Sequence, residues 1–296
     1  GLIANSGSGE AVVFTSAVGS FTNSGTIQAV GGPALSIFNN APDTILNDGG
    51  LLTSASFGGT VQIWADLGAA GIVFDGGQIN NTAGGGSAIR MAVSQLGNIE
   101  VKNASILGKI KFDASNETLN VTGSTLNGDI EFTGTGNNLS FLSGGTTTLL
   151  AATQFQNATF FSLLAGSSVV SNAAQTGANT AIANMMTVPT SYLTLNEDFW
   201  VDEGALNQGT MEIATGKTLT ANAVSGNGTY IFGVSGASTL AAVNGQGAGS
   251  SLDFTGATLE IKLTDPSAML VNGVNMQLAE DLNGNAIIGV TNGALL

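Results

Sequence analysis

The chain contains no cysteine and no histidine, one arginine, four prolines and two tryptophans. Without cysteine no disulfide can staple the fold and no thiolate chemistry is available. Without histidine as well, Ser-His-Asp and Cys-His catalysis are excluded in any order, as are histidine-bearing zinc sites. Charge is scarce too: charged residues make up 9% of the 296 positions, divided into twenty acids and six bases, for a formal net charge of −14. A chain so acidic lacks the basic footprint that binds nucleic acid through phosphates, so no nucleic-acid partner is expected. No apolar run is long enough to cross a bilayer as a helix. There is neither an initiating Met nor a leader, so the sequence reads as an excised mature segment with any membrane anchor outside it.

What is abundant is glycine, 43 residues of it, within a chain that is 43% hydrophobic. That hydrophobicity argues against disorder, which needs few apolar residues and much net charge. Many glycines and small polar residues, interleaved with aliphatics, suit short strands joined by tight corners.

Internal periodicity gives the fold. Apolar-polar-apolar triplets stand at Ile99-Glu100-Val101, Ile110-Lys111-Phe112, Leu119-Asn120-Val121, Ile130-Glu131-Phe132 and Leu139-Ser140-Phe141, their starts 11, 9, 11 and 9 residues apart. Two interleaved series therefore repeat every 20 residues, each triplet turning its apolar pair to one face and its central residue to the other, as a strand requires. A third inward contact per coil is expected from Ile27, Leu51, Ile79, Ile106 and Leu126, each closing a corner rich in Gly, Asn and Ser. The spacing predicts an all-β chain, a right-handed parallel β-helix or β-solenoid of about a dozen coils and on the order of 60 Å, at roughly 4.8 Å per coil.

The pattern fades over 177–204, where an irregular insertion or loop is expected. Within it Ala181–Pro189 reads as a short helix or loop stopped by proline. The expected organisation is thus β-helix coils over 1–176, the insertion over 177–204, and continued β-helix with a C-terminal cap over 205–296. Triplets at Met211-Glu212-Ile213, Leu252-Asp253-Phe254 and Leu259-Glu260-Ile261 support the continuation.

Two segments, Phe21-Thr22-Asn23-Ser24-Gly25-Thr26-Ile27 followed by Gly31-Gly32-Pro33-Ala34-Leu35, and Gly216-Lys217-Thr218-Leu219-Thr220 followed by Gly226-Asn227-Gly228-Thr229-Tyr230, resemble the repeats of passenger domains of Gram-negative autotransporter, or type V secreted, adhesins. The resemblance implies export through the outer membrane and a place on the bacterial cell surface or in the medium. It also implies roles in adhesion, aggregation or biofilm formation, with a membrane contact only through a translocator outside this segment. The partner would be a host-cell or glycan receptor, or another copy on a neighbouring cell.

Candidate site residues follow from the scarce bases. Arg90, Lys102, Lys109 and Lys111 cluster within one stretch, and with Asn120 and Glu131 they form a candidate binding face, either solvated strand charges or a local anion or glycan contact. The alternatives to an adhesin are a glycan-binding or polysaccharide-degrading β-helix and a structural stalk or surface-layer unit. Cleavage would need paired carboxylates, for which Asp113, Glu117, Asp129 and Glu131 are the candidates. The acidic stretch Leu195–Gly204 and the group Asp43, Asn47 and Asp48 are the places to look for calcium, although no repeated Gly-Asp nonapeptide is present. No cofactor is expected, and the chain is read as a non-enzyme.

Overall fold

The computed structural model describes residues 1–288 except 17–18, 39–42, 66, 68–70, 93–96, 177–181, 236–238, 248, 266–276 and 286. The described chain is a parallel β-helix without any helical segment. Each coil up to Leu163 visits three sheets in turn, and the later strands belong to the first and third. The first holds twelve strands, from Leu2–Asn5 to Thr258–Leu263, and the second seven, from Val12–Phe14 to Phe155–Gln156. The third begins at Ser20–Thr22 and takes in the remaining strands. Every ladder is parallel, because each coil advances the chain by one strand spacing in the same direction.

The triplets build the core as their spacing requires. In the third sheet Ile99, Leu119 and Leu139 are register partners, and in the second Ile110 pairs with Ile130. The second apolar residue of each triplet stacks likewise, Phe112 on Phe132 with ring centroids 4.9 Å apart. These side chains are buried, so every coil contributes to one continuous apolar column.

The first sheet supplies the third inward ladder, with one shift of register. Ile27, Ile79, Ile106 and Leu126 point inward as anticipated, but their partner in the coil after Ile27 is Leu52, not Leu51. Leu51 pairs with Thr26 and Gln78 on the outer face. The corner Asn47-Asp48-Gly49-Gly50 is one residue longer than Asn23-Ser24-Gly25, Gly49 absorbing the excess at φ +64°. One added residue exchanges the two faces of a strand.

Polar side chains hold the corners from inside. Buried Asn47 accepts a hydrogen bond from Asn23 Nδ2 and donates to the carbonyls of Gly50 and Gln78. Buried Asn207 and Asn137 do similar work farther along. Asn103, Asn116 and Asn157 stand at φ of 50°, 60° and 57°, the left-handed turn conformation that Asn tolerates better than other non-glycine residues.

The stretch expected as an irregular insertion continues the ladders. Residues 177–181 lie outside the described residues. Beyond them Ile182–Thr187 and Phe199–Asn207 belong to the third sheet and Tyr192–Leu195 to the first. The short helix or loop expected over Ala181–Pro189 is a strand over Ile182–Thr187. Ile182, Met185 and Thr187 are buried, and the backbone pairs with Ala158–Leu163 on one side and Phe199–Asn207 on the other. Neighbouring coils outweigh the weak helical preference of Ala and Met.

What does change here is a corner. In the nine-residue strand Phe199–Asn207 the turn between second and third faces straightens, with a register shift between Val201 and Gly204. Its first part pairs with Leu219–Ala221 and its second with Ala223–Ser225; the two parts separate again as Ala242–Gly245 and Ser251–Asp253. Phe155, Phe161 and Phe199 fill the interior at this point, with centroids 5.4–6.5 Å apart.

Candidate functional site

Strand alternation selects the outer face of the second sheet. Ile89, Ile110 and Ile130 point inward in register, as do Met91, Phe112 and Phe132, so Arg90, Lys111 and Glu131 stand in one outward row. Charges of opposite sign then link along and across the strands. Arg90 Nη2 lies 2.8 Å from Asp113 Oδ2, Lys111 Nζ 3.5 Å from Asp113 Oδ1 and 2.8 Å from Glu131 Oε1. Lys109 bonds the other Glu131 oxygen and approaches Asp129 at 4.0 Å. Three bases and three acids thus form one compensated ladder.

The electrostatics agree with the geometry. The hydrogen bond to Glu131 raises the Lys111 ammonium above its ordinary pKa against the opposing effect of desolvation. Burial pushes the Glu131 carboxyl up, but the bonds from Lys109 and Lys111 outweigh it and hold the group below its ordinary value. Partly exposed pairs of this kind are each worth about 0–1 kcal/mol.

Of the anticipated binding face, Arg90, Lys109, Lys111 and Glu131 are brought together. Lys102 and Asn120 are not: they lie on the third sheet, where Lys102 faces Asp75 at 3.4 Å and Asn120 donates to Asn98 at 3.0 Å. The cluster of four carboxylates does not form either. Glu117 is buried at the corner between second and third sheets and accepts the N–H of Gly97, while Asp113, Asp129 and Glu131 are tied to bases. A glycosidase acid needs a raised pKa, and Glu131 is shifted the other way.

The acids of Leu195–Gly204 diverge. Glu197 pairs with Lys217, Asp198 accepts the Thr218 N–H, Asp202 the Trp200 indole N–H and Glu203 the Asn184 amide. Asn47 is committed to its corner. Among the described residues no three acids converge as a metal site would require.

A surface feature that the sequence reading missed lies on the first sheet. Thr146, Ser168, Tyr192, Thr210, Thr229 and Thr258 are successive register partners, one per coil, all on the outer face. Two positions along, Thr148, Val170, Thr194, Glu212 and Ile231 form the adjoining row. Tyr192 donates to Glu212, which also pairs with Lys262. Burial and this bond push the Tyr192 phenol up to about 12, so it stays protonated. The signal was present as a hydroxyl residue directly before the inward residue of each strand, but coil lengths vary and only the register aligns the row.

Comparison with protein-family models, with curated proteins and with solved structures yields no match.

Proposed function

We propose that this β-helix is a non-catalytic cell-surface adhesin or self-association module of the autotransporter-passenger type, exported to the bacterial surface, with the outer face of the first sheet as its contact surface. The hydroxyl row from Thr146 to Thr258 carries the reading. A hydroxyl both donates and accepts, so one such row is chemically complementary to the same row on another copy. Spaced at about 4.8 Å, its contacts are individually weak and collectively strong. The passenger-like repeats, the absence of cysteine and the rod architecture support export and display.

The test is clumping of beads coated with the protein. Thr210→Asp with Thr229→Asp places like charges opposite each other when two copies meet and should abolish clumping without altering the thermal melt. Parent beads that stay dispersed, or variant beads that clump as the parent does, would remove the reading in favour of an inert stalk.

A further inference from the structure

A second surface, separate from the hydroxyl row, lies at the N-terminal end of the second sheet. Phe38 and Trp64 follow the paired strands Leu35–Ile37 and Val61–Ile63 and occupy neighbouring coils at the same position. Their rings are stacked with an interplanar angle of 5° and centroids 6.4 Å apart. Inward residues of this sheet are sealed in the core, yet Phe38 and Trp64 remain 38% and 42% exposed. Two parallel rings on adjacent strands make a flat apolar step. In the next coil the corresponding position is Ala92, whose N–H donates to the Ile63 carbonyl, so no large side chain continues the stack past Trp64.

Polar groups flank the step. Gln62 and Arg90 are register partners on the same outer face. Arg90 spends Nε and Nη2 on a single oxygen of Asp113. Its Nη1, the Gln62 amide and the Trp64 indole N–H have no partner among the described residues. The Gln62 amide rests over Gly58, where a Cβ would come within 2.3 Å of Nε2, so the glycine makes room for it.

We infer that Phe38, Trp64, Gln62 and Arg90 form a binding site for a neutral oligosaccharide. A pyranose ring has an apolar C–H face that packs on an aromatic ring and a rim of hydroxyls that needs donors and acceptors beside it. Both occur here within neighbouring strands. The choice of a neutral sugar follows from charge: Arg90 is compensated by Asp113, and the chain as a whole carries −14, which repels polyanions. Two rings are also too small a patch for a stable protein interface.

Trp64 reports on its own occupancy, since Trp200 is the only other tryptophan and lies on a distant coil. Tryptophan fluorescence of the whole chain is titrated with cellohexaose, chitohexaose and maltohexaose, and with heparin as the polyanion. At least one neutral hexasaccharide should bind and perturb the emission, in Trp200→Phe as in the parent. Trp64→Ala, followed by calorimetry, should lose roughly tenfold or more in affinity. Should Trp64→Ala not fold, Arg90→Gln keeps the fluorophore and should weaken the same sugar roughly threefold or more. The inference is overturned if none of the three sugars binds, if heparin alone binds, or if affinity survives the substitutions. Bead clumping is a separate readout, so either surface can fail without the other.

Discussion

Asn23 and Asn47, one coil apart at the same corner, are joined by a 2.7 Å hydrogen bond between their buried side chains. Asn47 in turn donates to Gly50 and Gln78, so one amide ties three consecutive coils. In a parallel β-helix most contacts join neighbouring coils, so bonds of this kind set the local cooperativity of the rod.

Replacing Asn47 with Leu should therefore be costly. The substitution strands the buried Asn23 amide, an unmet desolvation of about 1–3 kcal/mol, and removes one donor each from the Gly50 and Gln78 carbonyls, of which Gly50 keeps the Gln78 N–H. Denaturant unfolding should show a loss of at least about 2 kcal/mol. A loss within about 0.5 kcal/mol, typical of an exposed position, would mean that the corner is not held from inside.

The ion ladder on the second sheet makes stability depend on pH at both extremes. Glu131 has a folded pKa below its ordinary 4.5, so its contribution is present above that value and is lost as pH falls through the lowered one. Lys111 has a folded pKa above 10.5, so its contribution is complete below that value and is lost as pH rises through the raised one. Each group is a main partner of the other, so Glu131→Gln should flatten both limbs of the stability profile, while Lys111→Met should flatten the alkaline limb and leave part of the acid limb through Lys109, each by no more than about 1 kcal/mol because the groups are partly solvated. Thermal melts across pH would contradict this if Glu131→Gln left the alkaline limb unchanged.

Adjacent leucines test the register. Leu52 is fully buried in the inward ladder while Leu51 faces outward, so Leu52→Ala should cost about 2–5 kcal/mol and Leu51→Ala less than about 1 kcal/mol. Equal losses in urea unfolding would refute the assigned pairing.

The stretch from Ile99 to Phe141 shows what could be read without coordinates. Its strict apolar-polar-apolar triplets, at a constant 20-residue repeat, admit only strands with one buried face, and the structure stacks them as the repeat requires. Ala181–Pro189 shows the opposite. It has no alternation and mixes Ala, Asn and Met, so only lateral pairing with Ala158–Leu163 and Phe199–Asn207 makes its Ile182–Thr187 part a strand.

The candidate face was legible in part for the same reason. Arg90, Lys109, Lys111 and Glu131 sit in regular strands whose outward positions follow from alternation, whereas Lys102 and Asn120 are near in sequence but lie around a corner on another sheet. The Phe38–Trp64 stack and the row from Thr146 to Thr258 join residues a full coil apart.

By itself the sequence determined the chemistry that is out of reach and the parallel β-helix: missing Cys and His remove whole classes of site, and burial imposes a period-two pattern that survives in the chain. Which side chains meet was decided only by tertiary structure. Corner lengths vary from coil to coil, a single added residue at Gly49 turns Leu52 inward in place of Leu51, and hydrogen bonding between coils is what brings the outward residues into rows.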